Sequence, residues 1–191
     1  MTRLRPRFTV HRAQRGSAAV EFALVALFFF TYIVAMMELS RALFLWNTMT
    51  EVTRRAARAA AVGAFDAPSQ ALLRRHGMFD TGHLPLAGDI TDAHLSIDYL
   101  RSDAVTPIAA MPGSAAENLV NCTGDPNGAS CVRFVRVRLC IGGPANCALI
   151  PYTTMTGLES FVPGSFTFPR FTTISPIGTL GRMPSVATAS P

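Results

Sequence analysis

Residues 16–37 read GSAAVEFALVALFFFTYIVAMM, and this stretch decides the architecture. From Phe22 to Met37 there is no charged residue. As a helix that run spans about 24 Å, short of a hydrocarbon core of roughly 30 Å. Extending back to Ser17 and forward through Leu45 supplies the missing length and takes in Glu21, Glu38 and Arg41. A membrane span over about 20–42 is therefore expected. A cleaved secretory signal fits poorly, because the apolar run is long and no small-x-small cleavage site follows it.

The helical pattern continues past the span. Leu39, Leu43, Trp46, Met49, Val52, Ala56 and Ala60 recur at three- and four-residue steps, which predicts one apolar face. Ser40, Arg41, Thr48, Glu51, Arg55 and Arg58 fall mostly elsewhere, and Glu51 and Arg55 form a favourable i,i+4 pair. Gly63 is expected to stop the helix in the left-handed position after the last turn. Residues 17–63 are thus predicted as one helix of about 69 Å.

Charge is distributed to match. The 191 residues carry 17 basic side chains, all arginine, against 12 acidic ones, for a net +5. Arg3, Arg5, Arg7, Arg12 and Arg15 precede the apolar run, in a leader without Asp or Glu. From Ser17 onward 12 arginines face 12 acids, so the body is neutral. A nucleic-acid-binding domain would carry its basic patch on the body, so nucleic acid is not an expected partner. The leader arginines favour a cytoplasmic N-terminus with the rest exported. Only 15% of the residues are charged and mean hydropathy is +0.29, which argues against a disordered chain and an ordinary cytosolic enzyme.

Glu21 demands a reason. A carboxylate in an apolar helix costs on the order of 2.5–3.5 kcal/mol on insertion scales, and more when unpaired at depth. The basic leader ends at Gly16, five residues before it. Cleavage between Gly16 and Ser17 would create an α-amine about one helical turn from Glu21. In an assembly, the Ser17 amine of one subunit can meet the Glu21 carboxylate of a neighbour, each compensating the other inside the apolar layer.

The Gly16–Glu21 spacing is similar to the type IV pilin processing signal read by prepilin peptidases. The wider string RGSAAVEFALVALFFF, then MMELSRAL, then NTMTEVTRRAARAAAV, resembles the TadE-like segment of pseudopilins from tight adherence (Flp/Tad) pilus systems. The matching positions are Gly16, Ala19, Val20, Glu21, Phe22, Ala23 and Leu24, then Glu38, Leu39, Arg41 and Ala42, then Ala56, Ala57 and Arg58. The resemblance covers roughly residues 15–62. Members often carry proline within the apolar run, where this chain has Ala26-Leu27. Phe22 stands where major Flp pilins prefer tyrosine, which points to a minor component. Ser17 argues against the type II secretion branch, where phenylalanine usually follows the glycine directly. The resemblance implies processing at Gly16 and Ser17, assembly through Glu21 and Phe22, and a prepilin peptidase, other pilins and the Tad inner-membrane machinery as partners. It implies no catalytic residue, cofactor or metal.

Residues 64–174 are expected to form a small exported domain of strands and loops. Asp66-Ala67-Pro68 opens a short helix through Leu72, Leu73 and Arg75 that ends at Gly77. Strands are expected where Leu95, Ile97 and Tyr99 alternate with Ser96, Asp98 and Leu100, and where Val135, Val137, Leu139 and Ile141 alternate with Arg136 and Arg138. A third is placed around Phe166, Phe168 and Thr172, with Pro169 confining it to an edge or bulge. The apolar stripe of the long helix is available to cover these strands. Residues 175–191, rich in small residues, Gly and Pro, are expected to be a loose tail.

Cys122, Cys131, Cys140 and Cys147 cluster in the exported portion. An oxidising compartment favours disulfides, and three pairings are possible. Turn residues within each loop (Gly124 to Gly128, and Gly142-Gly143-Pro144) favour Cys122–Cys131 and Cys140–Cys147. The gaps lack the two-residue knuckles typical of a zinc site. His76, His83 and His94, with Asp80, Asp89, Asp92 and Asp98 nearby, match no recognised catalytic constellation. Arg133, Arg136 and Arg138 read as an outward cationic strand face.

The expectation is an α+β, pilin-like protein: a single-pass inner-membrane helix packed on a small antiparallel-sheet periplasmic domain. Its function would be that of a minor pseudopilin in tight adherence pilus assembly. The competing class is a periplasmic enzyme or sensor for which the N-terminal segment is only an uncleaved tether.

Overall fold

The computed structural model describes residues 15–143, 146–155 and 166–178. The leader before Arg15 and the tail after Gly178 lie outside that range. Helix α1 runs without interruption from Arg15 to Val62, then come α2 (Ala67–Gly77), the hairpin β1 (His83–Leu84) and β2 (Ala87–Thr91), and a 3-10 turn at Asp92–His94. Strand β3 (Leu95–Leu100), helix α3 (Ala115–Gly124) and strands β4 (Phe134–Leu139) and β5 (Phe171–Pro176) complete the order. The fold is α+β, with a long N-terminal helix apolar enough to cross a membrane and a small antiparallel sheet. The chain separates into two units, one ending at Ser40 and the other starting at Arg41.

In the first unit, α1 contains no proline to kink it. The hydroxyl of Thr31 donates to the Leu27 carbonyl at 2.7 Å and that of Ser40 to Met36 at 2.8 Å. These hydroxyls are therefore satisfied within the helix itself.

In the second unit, the β3–β4–β5 sheet is wholly antiparallel. Its register pairs Leu95 with Leu139, Ile97 with Val137 and Tyr99 with Val135 on one face, and β5 adds Phe171 opposite Leu139. Because side chains alternate along a strand, this register gathers one continuous apolar face. The helix covers it with Leu45, Met49, Val52, Ala56 and Ala60, joined by Ala57 and Ala61, all buried. Each large side chain buried there is worth about 1.5–3 kcal/mol. The stripe differs at its start from the sequence expectation: Leu39, Leu43 and Trp46 are exposed, and Leu45 is the first fully buried member.

Strand β5 lies along α1. The Trp46 and Phe171 rings meet edge to face at 5.5 Å, the Thr173 hydroxyl donates to Thr53 at 3.0 Å, and the Gly178 amide donates to the Ala61 carbonyl at 3.2 Å. Trp46 to Ala61 is about 22 Å of helix, and Phe171 to Gly178 is about 23 Å of strand, so the two elements stay in step. Thr53 is buried, but its hydroxyl also donates to Thr50 at 2.9 Å, so no polar group is stranded.

Several local expectations need correction. Gly63 closes α1 at an ordinary φ, not in the left-handed region; an added Cβ there would lie 2.9 Å from both the Ala59 carbonyl oxygen and a Leu73 methyl. The third strand lies later than expected. Residues 166–168 pair instead with the 150–152 segment, through a Pro151–Thr167 bridge and a Phe168 amide donating to Ile150 at 2.8 Å. Pro169 thus stands before β5 and not within it. Ser175 and Pro176, placed in a loose tail by composition, belong to β5, and Ile177 and Gly178 are hydrogen-bonded to Arg133 and Ala61. Ile141 leaves the ladder and forms an isolated bridge with Ala148.

Helix α2 begins as its cap dictates. The Asp66 carboxylate accepts from the Ser69 amide at 3.2 Å, and hydrogen bonds from the Ser69 side chain and backbone hold its pKa below the usual carboxylate range. Two elements escaped the sequence reading, the β1–β2 hairpin and α3. The signal for α3 was present: Ser114 accepts from the Glu117 amide at 3.1 Å while the Glu117 carboxylate accepts from the Gly113 amide at 2.7 Å, close to a capping box.

Candidate functional site

Gly16 lies in the first turn of α1, and an added Cβ would meet nothing within 4 Å among the described residues. Its φ is not in the left-handed region. Neither packing nor backbone geometry calls for glycine here, although glycine is a poor helix former. Ser17 lies one residue on, and Glu21 one turn beyond Ser17, about 6 Å along the axis. Glu21 and Phe22 are both exposed, Phe22 at 74%. Leu24, Val25, Leu27, Phe28, Phe29 and Phe30 are likewise exposed. The helix thus exposes a run of large apolar side chains, long and apolar enough to cross a membrane.

Where α1 enters the second unit, Arg41 acts as a bolt. Its Nε and Nη2 donate to the Leu86 carbonyl at 3.1 and 2.8 Å, and Nη1 donates to the Thr153 carbonyl at 2.6 Å. The guanidinium also stands 5.2 Å from the Tyr152 ring centroid. Periodicity places Arg41 on the polar side of the helix and the resemblance includes it, but its reach to carbonyls 45 and 112 residues away is visible only in the fold.

The structure brings Cys122 to Cys131 and Cys140 to Cys147, with Cα–Cα separations of 4.7 and 5.0 Å. The first bond ties α3 to the approach to β4, where Asn118 also accepts from the Val132 amide at 2.8 Å and donates to its carbonyl at 3.2 Å. A groove of about 910 Å³ lies beside this junction, lined among others by Ala115, Leu119, Val132, Phe134 and Ile177. Its lining is mostly apolar, and Asn118 is already committed to Val132.

The arginines of β4 are not a freely solvated face. Asp98 lies opposite Arg136 in the β3–β4 register, and its Oδ2 accepts from Arg136 Nε and Nη2 at 3.2 and 3.1 Å and from Arg138 Nη2 at 2.8 Å. The arginine side chains are 19% and 20% exposed, the aspartate 12%. The cluster is an internal clamp across two strands. The histidines do not converge: exposed His76 stands 3.5 Å from Asp80, His83 contacts the Thr81 carbonyl, and His94 accepts from the Thr91 amide at 2.9 Å. Among the described residues no three His, Cys, Asp or Glu side chains are arranged to hold a metal ion.

Two groups titrate far from their ordinary values. Burial pushes the Tyr99 phenol up to about 12, with the Asp66 charge adding to the effect. The Asp103 carboxyl is lowered to about 2 by the Thr106 side chain and the Val105 and Thr106 amides. Asp103 serves to fold the 103–106 turn.

The class defined by these features is an α+β protein whose N-terminal helix is long and apolar enough to cross a membrane and whose second half builds the core of a small sheet domain. Within it, residues 16–58 match the family model described as TadE-like protein, consistent with a TadE-like protein of the Tad pilus system. The match covers less than a quarter of the chain and stops within α1. No curated protein and no solved structure matches the chain.

Proposed function

We propose that this protein is a minor pseudopilin that takes part in assembly of a tight adherence (Flp) pilus. A prepilin peptidase cuts after Gly16, the span over about 20–42 holds the subunit in the inner membrane with its N-terminus cytoplasmic, and the domain from residue 64 onward stands in the periplasm. The new Ser17 amine of one subunit pairs with Glu21 of the next, while Phe22 and the apolar side chains beyond it pack between subunits. The observation that carries the reading is Gly16: a glycine with no neighbour within 4 Å of its added Cβ among the described residues, at the residue where the TadE-like match begins. A glycine that the described packing does not require suits recognition by another protein. The paired cysteines accord with an oxidising periplasm.

Mass determination of the native N-terminus tests the proposal. Material beginning at Ser17 supports it, and native material retaining Met1 in a strain with active peptidase refutes it. Gly16→Trp should block shortening yet leave membrane insertion intact. Glu21→Ala should insert as well as or better than the parent while impairing piliation, because it removes one partner of a buried pair.

A further inference from the structure

The turn between β1 and β2 consists of Pro85 and Leu86, because Leu84 pairs with Ala87. Leu86 has φ +62, the left-handed position that such a turn normally gives to Gly or Asn. A branched apolar residue there is strained, because its Cβ crowds the following carbonyl oxygen. Its side chain is 60% exposed, so the cost is not offset by burial within the chain. Its carbonyl is held by Arg41, which also holds Thr153. The neighbouring Tyr152 amide donates to the Phe166 carbonyl at 2.7 Å, and Phe166 is 64% exposed. On α1 itself Leu43, Phe44 and Trp46 are exposed at the same level. Five exposed large apolar residues therefore belong to three segments whose backbones are linked through Arg41 and Tyr152, at the level where the apolar sequence of α1 ends at Trp46.

We propose that Leu86, Phe166 and the Leu43–Trp46 turn form a rim that rests in the headgroup–acyl boundary of the bilayer that α1 crosses. The occupant is a lipid surface, because the Leu43–Trp46 turn follows the apolar run of α1 along the chain and Phe166 and Trp46 are aromatic side chains of the kind that favour that depth. Arg41 fixes the hairpin tip and the 152–153 strap at that level, so the domain meets lipid as a set surface. The inference rests on the membrane-anchor reading of α1. At the opposite end of the sheet, where Gly178 reaches Ala61 and Asn118 holds Val132, α3 exposes Val120 at 70%. That residue supplies a comparison of at least equal exposure.

The test uses full-length protein in vesicles of phosphatidylethanolamine and phosphatidylglycerol, with and without bromine on the acyl chains near the headgroups. Trp46 is the only tryptophan, so Trp46→Phe provides a silent background. Leu86→Trp and Phe166→Trp should lose emission in brominated vesicles and show blue-shifted spectra, whereas Val120→Trp should not. Tyr32→Trp, inside the apolar run, reports the anchor. Unquenched Leu86→Trp and Phe166→Trp beside a quenched Tyr32→Trp would overturn the rim and leave the anchor standing. An unquenched Tyr32→Trp would overturn both, and equal quenching at Val120 would overturn the rim. Should Leu86→Trp fail to fold, the ring-for-ring change at Phe166 decides alone.

Discussion

Gly77 at the end of α2 approaches Ala56 of α1 so closely that an added Cβ would lie 2.8 Å from the Ala56 Cβ and 3.2 Å from a Leu95 methyl. Two helices and the first strand of the sheet meet at this point, and the absence of a side chain on Gly77 lets them.

Gly77→Ala is therefore expected to destabilise the protein by about 1–3 kcal/mol through overpacking, although alanine is the better helix former. Gly16→Ala, with no neighbour within 4 Å of its added Cβ among the described residues, should change stability by less than about 0.5 kcal/mol. Denaturant unfolding of both variants in the same detergent compares them directly. Equal effects would show that the α1–α2 contact is looser than described.

The Asp98 clamp carries a second expectation. Asp98→Ala removes the carboxylate that Arg136 and Arg138 share across the two strands, in positions only one fifth exposed. A loss of about 2–3 kcal/mol follows, less than for a fully buried pair because solvent screens part of it. Denaturant midpoints measure it, and a loss within error would reduce the cluster to a surface ion pair.

Tyr99 makes stability sensitive to alkali. Its phenol ionises near pH 10 when unfolded and near 12 when folded, so the neutral form is favoured by folding. The contribution is full below pH 10 and is lost as pH rises through 12, amounting to about 2–3 kcal/mol. Its hydroxyl is also buried without a hydrogen-bond partner among the described residues. Tyr99→Phe should thus be neutral or stabilising at pH 7 and should flatten the fall in unfolding free energy between pH 10 and 12. A parallel pH profile for parent and variant would place the alkaline transition elsewhere.

The cysteine pairs close loops with sequence separations of 9 and 7. Removing either pair as a double serine variant should cost about 2–3 kcal/mol. Peptide mapping without reduction should recover 122 linked to 131 and 140 linked to 147, and alkylation of the unreduced protein should label no thiol.

The long helix was legible because its two signals are local. Sixteen uncharged residues identify the apolar half, and three- and four-residue spacing carries the helix on to Val62. Strands β3 and β4 were legible for the same reason, since alternation is a property of consecutive residues. The start of the buried stripe was not. Trp46, Leu43 and Leu45 all fit a helical repeat, and which of them enters the core depends on where β5 and its Phe171 ring lie. The start of the tail was misread because Ser175 and Pro176 owe their strand to pairing with Val135 and Phe134. The hairpin was missed because a Pro-Leu turn has the wrong residue at its left-handed position.

Local chemistry alone dictates the continuous helix, its apolar first half, the basic leader, and the Gly16–Glu21 spacing, because each depends only on neighbouring residues and their solvation. The Arg41 bolt, the Asp98 clamp and the contact of Gly77 with Ala56 exist only once the chain is folded. They join groups dozens of residues apart through short-range forces, which act only after the sheet register and the packing of α1 have set their distances.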